Sequence, residues 1–210
     1  MDNTLTLWGI GTSRTIRAHW ALLELGLPYR IEKIRTRTPD TETDTFKKIN
    51  PRQKIPVLQD DSLTIGESAA IVTYLAENYR NGKTILMPEQ RETRAKYFEW
   101  MSFICMELDA TSLYVLRRHW SLPKIYGGSP NANKVAGEYF TRMINAAEKM
   151  HDPNIPFLLD DGFSGIDILM TTTLRWAVDY NQNLPPVFEK YLSEMEKRPC
   201  FLAALEANQA

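Results

Sequence analysis

The chain has 210 residues, of which 43% are hydrophobic, so it is long and apolar enough to bury the core of one large domain or two small ones. Its 25 Lys and Arg residues nearly balance its 26 Asp and Glu residues, which excludes a global field attracting nucleic acid or an anionic membrane surface. The sequence contains no secretory leader pattern and no apolar run near the roughly 20 residues of a membrane helix, so we expect a cytoplasmic protein.

The first elements predict a βαβ unit. Residues 3–8 alternate polar and apolar side chains as a strand does, and residues 15–25 carry apolar side chains at helical spacing before Gly26. Residues 29–34 alternate again. Two strands joined through a helix pair in parallel with a right-handed crossover, so the chain opens as an α/β unit.

A hairpin and a helix are predicted next. A polar stretch at 35–48 precedes two apolar segments, 55–59 and 63–65, which flank three polar turn-forming residues. Residues 67–79 then return to helical spacing. This pattern completes a small sheet with helices.

The composition changes after residue 80, where glycine and proline interrupt the chain. Strand patterns are not found beyond this break, which indicates a helical bundle. We therefore predict one domain at 1–80, a linker at 81–88 and an all-helical domain at 89–210. Its predicted helices cover residues 89–120, 131–150, 164–180 and 185–207.

The cysteines and histidines indicate neither a disulfide nor a metal site. Cys105 and Cys200 lie far apart and form neither a CxxC pair nor a metal-binding spacing with the three histidines. We expect reduced thiols and no metal.

Pro56 lies within an apolar, strand-like run, where a trans proline removes a ladder hydrogen bond. Either a cis Ile55–Pro56 bond or an edge-strand position resolves this conflict. A cis bond would leave the backbone groups of Ile55 free to pair with an extended peptide ligand.

Two helix starts carry polar side chains that have two interpretations. Glu67 and Ser68 open the helix after the hairpin, and Thr12 and Ser13 precede the first helix. Each pair is compatible with simple helix capping. Alternatively, Ser68 and the helix N-terminus bind a carboxylate while Glu67 accepts an ammonium, and a hydroxyl at 12 or 13 stabilises a bound thiolate.

Six segments of the chain carry a further signal. They are 13–29 (SRTIRAHWALLELGLPY), 50–58 (NPRQKIPVL), 65–75 (IGESAAIVTYL), 99–104 (EWMSFI), 157–169 (FLLDDGFSGIDIL) and 198–199 (RP). Together they resemble the cytosolic glutathione S-transferase family, especially its bacterial, serine-type members of the theta-like and beta-like kind. The most specific are segment 50–58, which resembles the family's cis-proline motif, and segment 65–75, which resembles its γ-glutamyl-binding motif.

The resemblance implies an α+β fold, with an N-terminal thioredoxin-like βαβ-α-ββα domain followed by an all-α helical bundle. It implies that Glu67 and Ser68 hold the γ-glutamyl end of glutathione and that Ile55 pairs with the cysteinyl backbone. Gln53 or Lys54 would lie near the glycyl carboxylate.

The resemblance also assigns the reacting hydroxyl. Serine-type members place it four residues before the arginine matched by Arg17, which selects Ser13, with Thr12 in reserve. The tyrosine and cysteine of other classes would fall near Trp8 and at Arg14, so neither chemistry is expected. By the same resemblance, Glu107 of the partner subunit would contact the glutathione amine.

We therefore expect a detoxifying glutathione transferase that uses glutathione as co-substrate and attacks a small hydrophobic electrophile, as a homodimer. Two alternatives use the same site. One is a glutathione-dependent disulfide reductase or peroxidase, and the other is a non-catalytic glutathione-binding protein of the same fold.

Overall fold

The computed structural model describes residues 5–79 and 84–209. The chain divides into two compact units. The first comprises Met1–Met87, Phe163–Ile168 and Lys197–Ala210, and the second comprises Pro88–Gly162 and Leu169–Glu196. The end of the chain thus belongs to the first unit. The predicted boundaries at 80 and 89 stay a prediction, and residues 3, 4 and 81–83 of the predicted first strand and linker lie outside the described residues.

A four-stranded sheet forms the centre of the first unit. Its strands are β1 (Leu5–Ile10), β2 (Tyr29–Arg35), β3 (Val57–Asp60) and β4 (Leu63–Gly66). Their order is β2-β1-β3-β4, with β1 and β2 parallel and β3 antiparallel to both β1 and β4. This topology confirms the predicted βαβ unit and hairpin, and it is the thioredoxin-like arrangement.

The helices of the first unit cover the sheet. They are α1 (Ser13–Glu24), α2 (Asp44–Ile49), α3 (Ser68–Asn78) and α10 (Pro199–Gln209). The stretch read as polar at 35–48 contains most of α2, which begins where the Thr43 hydroxyl accepts the N–H of Phe46 at 3.2 Å. Phe46 is buried, so this polar segment still contributes to the core.

α10 packs on α1 through aromatic side chains. The Trp20 ring lies 4.8 Å from the Phe201 ring and 5.7 Å from the Phe163 ring. At the end of α1, Glu24 accepts hydrogen bonds from Arg198 at 2.8 and 3.1 Å. The C-terminal helix is therefore fixed to α1 by both apolar packing and an ion pair.

The second unit is helical over its described residues, as expected. A continuous helical path runs through α4 (Arg91–Phe103), a π-helical segment (Ile104–Leu113), α5 (Tyr114–Leu116) and a second π-helical segment (Arg117–Ser121). The remaining helices are α6 (Pro123–Tyr126), α7 (Pro130–Met150), α8 (Gly165–Asp179), whose first turn belongs to the first unit, and α9 (Pro186–Met195).

The amphipathic stretch at 185–207 forms two helices, because α9 ends at Met195 and α10 begins at Pro199. Proline lacks an N–H and fits the first position of a helix, so Pro199 starts a new helix instead of continuing the old one. Among the described helices, none combines the length and apolar composition that crossing a membrane requires.

Candidate functional site

The end of β1 lies directly against Ile55. Gly9 has a φ of 122°, and a Cβ atom built on it would come within 2.6 Å of the Ile55 Cβ. Both the positive φ and the missing space require glycine at this position. This close approach places the end of β1, which leads to Ser13, against the side chain of Ile55.

The two candidate hydroxyls at the start of α1 have different environments. Thr12 is the N-cap, and its hydroxyl accepts the N–H of Thr15 at 3.0 Å while the Thr15 hydroxyl accepts the Thr12 N–H at 2.9 Å. Ser13 is the first helical residue and is half-buried, and no described residue hydrogen-bonds its hydroxyl. The capping interpretation therefore applies to Thr12, and the Ser13 hydroxyl is available to a ligand.

The Ile55–Pro56 bond is cis, one of the two predicted solutions for this proline. β3 begins only at Val57, so Pro56 precedes the sheet ladder. Within the described part of the chain, no backbone hydrogen bond involves the N–H or C=O of Ile55. No described residue therefore pairs with these groups along the backbone, and an extended peptide could do so.

Asn50 organises the turn that carries Gln53 and Lys54. Its side-chain amide donates to the Lys54 carbonyl at 2.7 Å, and its backbone carbonyl accepts the Gln53 N–H at 2.9 Å. Gln53 has a φ of 53°, and the side chains of both Gln53 and Lys54 are exposed. Sequence reasoning assigned no role to Asn50, although asparagine is a frequent turn-former.

The start of α3 has an unusual backbone. Glu67 has φ 66° and ψ 114°, a combination that a non-glycine residue rarely adopts, and its side chain makes no cap hydrogen bond. Simple capping by the Glu67 side chain is thus not what the structure shows. Ser68 follows as the first residue of α3 and is buried.

Arg17 connects α1 to Ser68. Its side chain is 1% exposed, and its Nη1 donates to the Ser68 Oγ at 3.2 Å. Ser13 and Arg17 are four residues apart on α1 and share one helix face. This contact therefore places Ser13 on the side of α1 that faces the start of α3. Sequence reasoning used Arg17 only to align Ser13, although an arginine within an apolar helix face signals a buried cation.

Glu67 already has a cationic neighbour. Arg52 Nη1 lies 2.7 Å from the Glu67 Oε1, with the two side chains 51% and 69% exposed, so the pair contributes little to stability. The Arg52 guanidinium also lies against Gly66, where an added Cβ would be 2.2 Å from Nη2. A ligand ammonium at Glu67 would share the carboxylate with Arg52, a residue that sequence reasoning missed.

Glu107 belongs to the second unit, in the first π-helical segment. Its carboxylate accepts a hydrogen bond from the Tyr139 hydroxyl, and this bond raises the pKa of Tyr139. The predicted contact between Glu107 and a glutathione in a partner subunit stays a prediction.

His19 has a structural role. It is buried, with Nδ1 2.9 Å from the Tyr29 hydroxyl and Nε2 3.2 Å from the Gly9 carbonyl. Burial lowers its pKa to about 4, against a smaller opposing effect of the Gly9 hydrogen bond. The ring is therefore neutral at pH 7. Within residues 5–79 and 84–209, no group of three or more His, Cys, Asp or Glu side chains is arranged to hold a metal ion.

The chain is similar to known glutathione S-transferases and to related proteins. Residues 13–78 match the family model described as glutathione S-transferase, N-terminal domain. The chain is 27% identical to probable maleylacetoacetate isomerase 2 of Drosophila melanogaster, over 96% of this chain and 86% of that protein. It is 25% identical to glutathione S-transferase GstA of Escherichia coli O157:H7, over 92% and 93%. A match to mouse glutathione S-transferase theta-3, at 24% identity, covers 73% of this chain and 64% of that protein.

Solved structures share the fold over nearly the whole chain. A glutathione transferase from Phanerochaete chrysosporium with oxidized glutathione superposes with a TM-score of 0.86 at 20% identity, covering 100% of this chain and 96% of that one. A theta-class enzyme from Xanthomonas axonopodis pv. citri with glutathione bound gives 0.77 at 22% identity, covering 97% of each. The matched N-terminal domain contains the start of α1, the Ile55 segment and the start of α3. Residues 13–78 thus match a glutathione S-transferase N-terminal domain, and the relatives and solved structures to which the chain is similar over most of its length include glutathione S-transferases.

Proposed function

We propose that this chain binds glutathione and activates its thiol for attack on a small hydrophobic electrophile, with Ser13 stabilising the thiolate. The observation that carries this proposal is the contrast at the start of α1. The Thr12 hydroxyl caps the helix, whereas no described residue bonds the Ser13 hydroxyl. Ser13 also shares a helix face with Arg17, which contacts Ser68.

The γ-glutamyl head group binds at the start of α3 in this proposal. A guanidinium donates hydrogen bonds and accepts none, so the Ser68 Oγ accepts from Arg17. The Ser68 proton is then left to donate to the ligand α-carboxylate, together with the first N–H groups of the helix. The ligand ammonium lies at Glu67, the cysteinyl backbone pairs with Ile55, and the glycyl carboxylate lies near Gln53 or Lys54.

Thiolate stabilisation requires a modest free energy. A free thiol has a pKa near 8.5, and lowering it by two units takes about 2.7 kcal/mol, within reach of a hydroxyl donor and a helix N-terminus. The thiol proton leaves to water, and the sulfur lone pair forms an S–C bond to the electrophilic carbon. The leaving group departs with its bonding electrons, and catalysis comes from nucleophile activation and proximity.

The proposed second substrate and assembly extend this scheme. We propose a homodimer in which Glu107 of the partner subunit contacts the glutathione amine. A Glu107→Gln variant then binds glutathione about tenfold more weakly, as expected for loss of a charged hydrogen bond. It binds glutaryl-Cys-Gly, which lacks the amine, as the unmodified protein does.

Calorimetric titration with glutathione and a conjugation assay with a chlorodinitrobenzene test the proposal. We expect glutathione to bind, and Ser13→Ala to keep this affinity while losing more than about tenfold in turnover, as for removal of one stabilising donor. Thr12→Ser keeps a capping hydroxyl and serves as the matched control, with turnover close to that of the unmodified protein.

No heat on titration would contradict glutathione binding. Unchanged turnover in Ser13→Ala would contradict the role of its hydroxyl. Faster reduction of hydroxyethyl disulfide than conjugation would favour the reductase or peroxidase, and binding without either reaction would favour the non-catalytic protein.

A second candidate reaction is isomerisation of an activated double bond by reversible thiolate addition. The match to a probable maleylacetoacetate isomerase over 96% of this chain favours it. Conversion of a cis-enone diacid in the presence of glutathione, abolished in Ser13→Ala, would support this reaction.

A further inference from the structure

Asn208, near the end of α10, makes a cluster of hydrogen bonds with the loop that leads to Ser13. Its Oδ1 accepts the Gly11 N–H at 3.0 Å and the Thr15 hydroxyl at 2.5 Å, and its Nδ2 donates to the Thr12 carbonyl at 3.3 Å. Its backbone carbonyl accepts the same Gly11 N–H at 2.9 Å. One side chain, 197 positions away from Gly11, thus contacts residues on both sides of Ser13.

The chemistry of this cluster requires an amide. The loop presents two donors and one acceptor to a single position, and a carboxamide supplies the matching acceptor oxygen and donor nitrogen. Asn208 is 5% exposed, so water does not compete freely for these bonds and they are stronger than at the surface.

Other contacts also attach α10 to the first unit. They are the Phe201 ring against Trp20, near the start of α10, and the ion pair of Glu24 with Arg198, which immediately precedes α10. The bonds of Asn208 are directed instead to the backbone and cap of the Gly11–Thr15 segment.

We propose that Asn208 is a positioning residue, which fixes the Gly11–Thr15 segment so that the Ser13 hydroxyl points at the glutathione sulfur. This inference rests on the proposed function of Ser13. Asn208 does not touch the ligand in this account. Its hydrogen bonds restrict the motion of the Gly11–Thr15 segment. Without them, the Ser13 hydroxyl would move away from the developing thiolate, and even a small displacement of a donor lowers the reaction rate.

The test compares Asn208→Ala, Asn208→Leu and Phe201→Leu with the unmodified protein. The ultraviolet absorption of the thiolate gives the pKa of the bound glutathione thiol, calorimetry gives the affinity, and thermal unfolding gives stability. We expect both Asn208 variants to raise the bound-thiol pKa and lower turnover about tenfold, with affinity within about twofold of the unmodified protein.

Phe201→Leu is the matched control, because it weakens the packing of α10 without touching the loop. It lowers the thermal midpoint while the bound-thiol pKa and turnover stay unchanged. The inference would be overturned if Phe201→Leu also raised the bound-thiol pKa and lowered turnover. It would equally be overturned if the folded Asn208 variants kept the original thiol pKa.

A double variant separates this inference from the proposed function. When Ser13→Ala is combined with Asn208→Ala, we expect no further loss, because both changes act on the same hydroxyl. If Ser13→Ala alone leaves the thiol pKa unchanged, the proposed role of Ser13 fails. If Ser13→Ala raises the pKa but Asn208→Ala does not, only the positioning role of Asn208 fails.

Discussion

Arg17 is a buried cation whose guanidinium donates to the Ser68 hydroxyl at 3.2 Å. This contact fixes the direction of the Ser68 proton, since the oxygen lone pair facing Arg17 is already used. In the proposed binding mode, Arg17 therefore acts on the head-group end of the ligand, although it lies on the same helix as Ser13.

Replacing Arg17 by Met should weaken glutathione binding about tenfold or more, the usual effect of losing a hydrogen bond to a charged group. The effect should depend on the ligand carboxylate. Calorimetry with γ-aminobutyryl-Cys-Gly, which lacks the α-carboxylate, should give equal affinity for the variant and the unmodified protein. An equal loss for both ligands would mean that Arg17 only supports the fold.

His19 makes stability depend on pH. Its folded pKa of about 4 lies below the ordinary histidine value of 6.5, so between these pH values the unfolded chain binds a proton that the folded chain does not. This contribution is complete above about pH 6.5 and declines as the pH falls toward 4, by roughly 2 kcal/mol at pH 5. His151, whose pKa is also lowered by burial, acts in the same direction.

Urea unfolding at pH 7 and pH 5 checks this expectation. The free energy of unfolding should fall less between pH 7 and pH 5 in His19→Asn than in the unmodified protein. In His119→Asn, a control in the second unit, it should fall by the same amount as in the unmodified protein. The same decrease in all three proteins would contradict the assignment to His19.

For single residues, the sequence is a good guide to the candidates for the binding site. It is a poorer guide to the contacts that these residues make. Ser13 was preferred to Thr12 through resemblance, and the structure supplies a physical reason in the capping bonds of Thr12. The roles of Arg17 and Asn208 depend on contacts across 51 and 196 sequence positions, respectively, which no local pattern encodes.

Among the elements, the start of α8 carries a capping motif within the segment 157–169. Asp167 accepts both the N–H and the hydroxyl of Ser164, at 2.8 and 2.9 Å, and both residues are buried. Local spacing suffices to predict this motif, because all its bonds form within one helical turn.

Asp167→Ala should lower the free energy of unfolding by about 2 kcal/mol, because it removes a cap and leaves a buried N–H without its acceptor. Urea unfolding measures this change. Asp161→Ala, an exposed substitution a few residues earlier, is the control and should have little effect. If the two variants were equally stable, the buried cap would not contribute as the geometry indicates.

Element boundaries were less predictable where two helices meet. Apolar spacing continues through 185–207, so periodicity alone joins α9 to α10, and the decisive signal is Pro199. The short α6, Pro123–Tyr126, also escaped prediction, since four residues give no usable periodicity.

For the whole molecule, the sequence predicts the sheet and the change to helices, because each strand and helix carries its own periodicity. It does not predict that Phe163–Ile168 and Lys197–Ala210 join the first unit. That grouping comes from packing between distant segments, such as Trp20 against Phe163 and Phe201.

A crystal structure of the protein with bound glutathione tests the central claim most directly. We expect the cysteinyl backbone to pair with the N–H and C=O of Ile55, the α-carboxylate to lie at Ser68, and the sulfur to accept a hydrogen bond from the Ser13 hydroxyl. A tripeptide bound in the opposite direction, or a sulfur bonded to Thr12 and distant from Ser13, would contradict the account.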